Sequence, residues 1–310
     1  AGSGQAAVLT LGAITRAAGA GTLRVVLPSG TQDATNGVIT SSTVTNGTMA
    51  GYLTISDGTG VYFATKNASN NLIAVASTTK TDVSTWSTLD NVDNVGGAFT
   101  GTFAASGSIN TLTFASASSS TVTIASGATL NILSGGVLMT SAVTSGTHTI
   151  TGGRLTSGIA DLVFTHEGAA TLNVASNIGS NNAITKTGNG ILRLTNAANT
   201  FTGGVTVNGG LLSIGKYVTG SAGTGAVVFN GGGIAFDDYQ ALRTFDLAGD
   251  SRGAAVPNNT VISANFSSIH NTTGDVVPAN TTRGFVGKLY LPAGTWNFQE
   301  SFDDGVAVKV

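Results

Sequence analysis

The chain reads as an all-β protein, a parallel β-helix or solenoid, and three observations lead there. Apolar residues alternate with Thr, Ser and Asn in short runs, the runs recur at a near-constant interval, and turn-forming residues separate them, with 44 Gly against 4 Pro. Alternation puts residues i and i+2 on one face of a strand. Each run is too short to bury its own apolar face, so like runs must stack on one another. Gly supplies the positive φ of tight corners, and scarce Pro keeps the strands' hydrogen-bond donors intact.

Residues 1–100 are the least regular. Strands are expected at 23–27, 52–55, 61–63 and 72–75, and 79–97 carries Trp86, one of two Trp in the chain. Terminal repeats of solenoids are atypical because they close an open edge. Residues 1–100 are therefore expected to be irregular first coils and a cap. Residues 101–249 are expected to be the regular β-helix, with strand cores at Leu112, Val122, Leu130, Leu138, Ile150, Val163, Leu172, Ile184, Leu192, Val205, Leu212, Val227 and Ile234. Every second core (Leu112, Leu130, Ile150, Leu172, Leu192, Leu212, Ile234) returns after about 20 residues, one coil of two or three strands. Outward Thr suits such a stack, since its hydroxyl reaches the next coil about 4.8 Å away. Residues 250–284, with two Pro and little alternation, read as a loop or linker. Residues 285–310 read as a further β segment that stops inside a strand pattern, which suggests a piece of a longer protein.

Composition excludes several functions. Lys and Arg number 13 against 15 Asp and Glu, and charged residues are 9% of the chain. That is no basic footprint for nucleic acid. No apolar run is long enough to span a membrane as a helix, and the absence of Cys excludes a disulfide framework. The first residues lack the charged start and long apolar core of a signal peptide.

Residues 184–215 carry the most specific pattern: Thr185-Lys-Thr-Gly-Asn-Gly190, a strand at 191–195, Ala198-Asn-Thr-Phe-Thr-Gly-Gly204, then Val205-Thr-Val-Asn-Gly-Gly-Leu-Leu-Ser-Ile-Gly215. This unit resembles the autotransporter-associated β-strand repeat of bacterial passenger proteins, with a looser likeness over 94–236. The resemblance implies a right-handed parallel β-helix, exported and displayed on the cell surface, in a family whose members include adhesins and matrix components. Residues 289–310 resemble part of a protective-antigen-type β-sandwich, a module that implies glycan binding with calcium held by neighbouring Asp; Asp303 and Asp304 are its only candidates here.

Few residues invite chemistry. Asp237, Asp238, Asp246 and Asp250 form the densest acidic run, and Asp237 and Asp238 join Asp303 and Asp304 as calcium candidates, with solvated turn acids as the plainer reading. His148, His166 and His270 are the only histidines. His166 beside Asp161 and Glu167 falls short of a three-ligand metal set, and the sequence THEGAA reads as a surface turn. No G-x-S-x-G elbow occurs. Asp161 and Glu167 are the only acids between 110 and 236, too few for the acidic groove of a polysaccharide lyase or hydrolase. Trp86, Tyr217, Tyr239 and Trp296 are read as caps or core in preference to sugar platforms. No catalytic residue and no cofactor is nominated. The expectation is an extracellular structural or adhesive protein whose partners are copies of itself, other surface proteins or glycans.

Overall fold

A computed structural model describes residues 7–17, 19–179, 182–214, 223, 226–236, 260–263 and 269–271. Its body is a right-handed parallel β-solenoid of about 5 turns with a spacing near 23 residues. Two sheets form its walls. The longer, of 11 strands, includes Ser120–Ile132, His148–Ser157, Thr171–Val174, Ile191–Leu194, Leu211–Ile214 and Gly233–Phe236. The shorter, of 8 strands, includes Asn91–Asp93, Thr111–Phe114, Gly136–Met139, Asp161–His166, Ala183–Thr187, Val205–Val207 and Val227–Phe229.

The register shows why these residues stack. On the longer sheet Val122 lies under Ile150, then Val174 and Leu194, while Leu172, Leu192 and Leu212 form the adjoining column. On the shorter sheet the inner column runs Val92, Leu112, Val137, Phe164, Lys186, Val207 and Phe229. Leu112 thus belongs to the opposite wall from Leu130 and Ile150, which corrects the single column expected from sequence. Leu130 and Ile150 also part company, since Leu130 pairs with Leu155 and Ile150 with Val122. Ser120–Ile132 is one strand with a register break between Ile124 and Thr129, so its two apolar pairs count as two cores in the sequence. The matching bend at Gly152 and Gly153 leaves no room for side chains: a Cβ on Gly152 would lie 1.9 Å from the Ile124 carbonyl oxygen. Coils with both limbs are long. The second limb shrinks to Asn177–Ile178, and later coils shorten to the Leu172-to-Leu192 step.

The N-terminal end is closed by a 3-10 turn, Val83–Thr85, capped by Asp82, whose carboxylate accepts from the Ser84 amide. Behind it stands a run of edge-to-face rings: Trp86 on Phe99 (5.2 Å), Phe99 on Phe114 (5.3 Å), and Phe114 on His148 (5.8 Å). Such pairs add about 0.5–1.5 kcal/mol each beyond their buried area. At the other end Thr260–Ser263 and Ile269–Asn271, within the expected loop, add antiparallel strands beyond Gly233–Phe236.

Residues 7–75 form a unit of their own. Val8–Leu11 pairs with Gly37–Thr40, and Leu23–Val26 with Leu53–Ser56, both parallel, so this stretch contains two wide coils. Val61–Lys66 and Leu72–Ala74 then fold back antiparallel. Its apolar core, including Val25, Leu53, Ile55 and Leu72, is separate from that of the solenoid. The unit lies along the outer face of the shorter sheet instead of prolonging the stack.

Candidate functional site

Two surfaces carry the chemistry of the molecule, the outer faces of its two walls. The outer face of the longer sheet is open over most of its length and closes at Ser213, which is buried. One of its rows runs Thr121, Thr149, Asn173, Arg193 and Ser213. Side chains bridge coils there: the Thr156 hydroxyl donates to Asn131 Oδ1 (3.3 Å), Asn131 Nδ2 donates to Ser108 Oγ (3.4 Å), and the Thr195 hydroxyl donates to Asn173 Oδ1 (3.0 Å). Arg154 and Arg193 stand on this face, whereas Asp161 and Glu167, the only acids from 110 to 236, stand on the other wall. Over the described residues the open wall is therefore an amide and hydroxyl surface with a weak positive bias from these two arginines.

The outer face of the shorter sheet is a seam. Leu138 and Val163 point outward yet are buried, outside the solenoid core, because residues 7–75 cover them. Two glycines allow close approach: Gly51 donates its amide to the Ser134 carbonyl (2.8 Å), and a Cβ on Gly136 would lie 2.5 Å from the Phe63 ring. Polar contacts hold the seam together. Arg16 pairs with Asp161 at 2.7 Å, their side chains 7% and 1% exposed. Arg16 also donates to Thr185 Oγ1 (2.8 Å), and its guanidinium lies 5.3 Å from the Tyr52 ring centre. The Gly19 amide donates to Asp161 Oδ2 (2.8 Å), and the Thr206 hydroxyl to the Gly19 carbonyl (2.7 Å). Arg24 pairs with Glu167, and Thr22 with Thr187 (3.1 Å). Asn110 fixes the far end by donating to the Asn46 carbonyl (2.8 Å).

Inside the shorter wall sit two bases where the column is otherwise apolar. His166 follows Phe114 and Met139 in its column and is 1% exposed. Neither ring nitrogen meets a side-chain partner, and only the Ala170 backbone comes near enough to favour the charged ring. Gly190 makes room for the ring, since a Cβ there would lie 2.2 Å from His166 Cδ2. Burial, then the charge of Lys186, pushes the imidazole down to about 4. Lys186, wholly buried between Phe164 and Val207, donates to the carbonyls of Thr187 (2.8 Å), Gly188 (2.8 Å) and Gly209 (3.1 Å). Burial lowers its ammonium to about 7, against the pull of Glu167.

The residues singled out from sequence are thus dispersed. His166 is a core residue and not part of a surface turn: Leu162, Phe164 and His166 share one parity of an unbroken strand, and that parity faces inward. Asp161 and Glu167 face the opposite way and meet arginines. Trp86 caps the solenoid. Among the described residues, no three His, Cys, Asp or Glu come together as a metal set. The candidates Asp237, Asp238, Asp303 and Asp304, with Asp246, Asp250, Tyr217, Tyr239, Trp296 and the segment 285–310, lie outside the described residues. No helix of the described residues is long and apolar enough to cross a membrane. Lys186, Arg16 and Arg24 were missed; the period-2 pattern that makes Ile184 inward also makes Lys186 inward and could have found it.

Comparison with known proteins agrees with this architecture. The passenger-associated-transport-repeat family model matches residues 184–214. Among curated proteins, the chain is similar to the adhesin BmaC autotransporter of Brucella suis biovar 1 (strain 1330), with 31% identity over 222 residues, covering 69% of this chain and 6% of that protein. The chain thus spans a small part of its relative's length. No solved structure matches.

Proposed function

We infer from a chain of autotransporter passenger-type repeats, extracellular and displayed at the cell surface, that it acts as a non-catalytic adhesive stalk. Stacked backbone ladders make the stalk stiff, and the open wall presents its ligand surface. One observation carries the reading: a contiguous face of Thr, Ser and Asn rows with Arg154 and Arg193 and, among the described residues, no carboxylate. Such a face matches partners rich in hydroxyls or weakly anionic groups, as surface glycans are. Its adhesin-named relative supports the adhesive part of the reading. The test is binding of the purified chain to glycan arrays and to cell surfaces, with Thr149→Glu and Asn173→Glu placed together on the open wall. Loss of binding with an unchanged unfolding temperature supports the reading. Unchanged binding moves the ligand surface elsewhere.

Self-association is a second reading, favoured by one feature. Val8–Leu11 and Leu23–Val26 each pair on one side only among the described strands, and Val8, Leu9, Leu23 and Val26 are exposed, Val26 by 74%. Unpaired apolar edges template further strands. Electron microscopy across a range of concentrations would show filaments for the native chain and isolated rods for Val26→Lys; isolated rods for both would remove this reading.

A further inference from the structure

We propose that the strands Asp161–His166 and Ala183–Thr187 form an acid-sensitive latch, whose protonation on the inner face releases residues 7–75 from the outer face. The argument starts from parity. His166 and Lys186 occupy inward positions on these neighbouring strands, while Asp161, Thr185 and Thr187 occupy outward positions, with Glu167 next in line. The seam contacts of Arg16, Gly19, Thr22 and Arg24 end on those outward residues. One backbone thus joins a pair of buried bases to most of the ionic contacts that hold the N-terminal unit.

The inner face has little tolerance for charge. No side chain pairs with His166, the Ala170 backbone only partly offsets the cost of its burial, Gly190 closes over its ring, and Phe114 and Met139 precede it in the column. Other titratable groups nearby are Lys186 on the next coil, His148 on the opposite wall, and Glu167, which is committed to Arg24. His148 uses Nε2 on the Ser145 carbonyl (2.9 Å) and leaves Nδ1 unpartnered. An imidazolium at position 166 would face an ammonium and no free carboxylate. The sign follows. His166 titrates lower in the folded chain, about 4, than at its ordinary 6.5. The contribution of neutral His166 to stability is therefore full above pH 6.5 and is lost as the pH falls toward 4. Lys186 acts in the same sense at higher pH, since burial moves it from 10.5 to about 7. Relief comes most readily by displacement of these two strands, and their outer face moves with them. Among the described residues the remaining inner positions of the two walls that could titrate reduce to His148, which stands in the Ser120–Leu172 column of the longer wall, away from the seam.

The chain has no Cys, so two can be introduced for labelling, at exposed Ser29 on the N-terminal unit and exposed Ser126 on the longer sheet. Energy transfer between dyes on Ser29→Cys and Ser126→Cys reports undocking, and far-UV circular dichroism reports the solenoid. The expected result is a loss of transfer between pH 6.5 and 4.5 with the β signal retained. His166→Leu should move that midpoint down by about one unit or more, into the carboxylate range. Should that variant not fold, His166→Gln keeps size and polarity without titrating and is expected to do the same. Asp161→Asn should reduce transfer already at pH 7.5. A midpoint unmoved in either His166 variant overturns the proposal. So does full transfer down to pH 4.5, or loss of the β signal at the same pH as the transfer.

Discussion

The two walls of the solenoid have largely apolar interiors and opposite exteriors. Inside, both are mostly columns of Leu, Ile, Val and Phe that repeat once per coil, interrupted by His166 and Lys186 on the shorter wall and His148 on the longer. Outside, the longer wall is an open array of hydroxyls and amides, and the shorter is buried under 7–75 and fastened by buried charge. The difference shows that a β-helix wall has two independent functions. Its inward parity sets the stack, and its outward parity decides whether the wall meets solvent, a partner or another part of the chain.

The largest break in that comparison is expected at Asp161. Removing its carboxylate by Asp161→Ala leaves Arg16 buried without its counter-ion, which costs about 3–5 kcal/mol in pairs of this kind. The loss should appear as undocking of residues 7–75, read by protease sensitivity within that unit, before the solenoid itself melts. Arg16→Met combined with Asp161→Leu should recover most of the loss, because matched apolar replacement of a buried pair is often neutral or better. If the double variant is no better than Asp161→Ala, the pair's value lies in the Gly19 and Thr185 hydrogen bonds. Lys80 and Asp90 provide the contrast: that pair is 25% and 19% exposed, and Asp90→Asn is expected to cost about 1 kcal/mol or less.

A smaller effect is expected at the glycine contact. In Gly136→Val the new side chain would collide with Phe63 and with the Gly51 backbone, whose Cα lies 2.8 Å from the Cβ position. Overpacking of this kind costs about 1–3 kcal/mol. Here it should fall on the seam, lowering the midpoint of the N-terminal unit while leaving that of the solenoid nearly unchanged. Equal shifts in both would mean that the two unfold as one body.

How much of this was legible in the sequence follows from the same parity rule. The stacking of Leu172, Leu192 and Leu212 could be read directly, because those coils contain short strands and uniform corners. The strands expected at 61–63 and 72–75 were legible from their apolar runs, as Val61–Lys66 and Leu72–Ala74, but their antiparallel pairing was not. The longer coils were not, since a bent strand such as Ser120–Ile132 looks like two strands until its register is known. The covered wall left a trace that alternation alone overlooks. Gly136–Met139 reads GVLM and Asp161–His166 reads DLVFTH, with apolar residues at adjacent positions, the mark of a strand buried on both faces. What covers it was not legible, because Arg16 and Asp161 meet only through the fold of the intervening chain, and an Arg among small residues has no local signature. His166 was misread because THEGAA has a turn's composition, although its parity with Leu162 and Phe164 placed it inside.

The smallest expected effect sharpens the comparison most, because it tests whether the open wall is there for stability. The Ser108, Asn131 and Thr156 side chains form a hydrogen-bonded column across three coils, at 3.4 and 3.3 Å. Both bonds are long and partly exposed, and cross-strand polar pairs contribute about 0.2–1 kcal/mol each. Asn131→Ala breaks both and should cost about 1 kcal/mol or less in a urea titration. That is well below the about 2–5 kcal/mol expected for Leu130→Ala one residue earlier, on the inward parity of the same strand. A cost at Asn131 near that of Leu130 would make the outer column a structural ladder, with the Asn and Thr rows serving the stack. A cost near zero leaves those rows free of any folding task, and the order of side chains across the open wall then needs a partner to explain it.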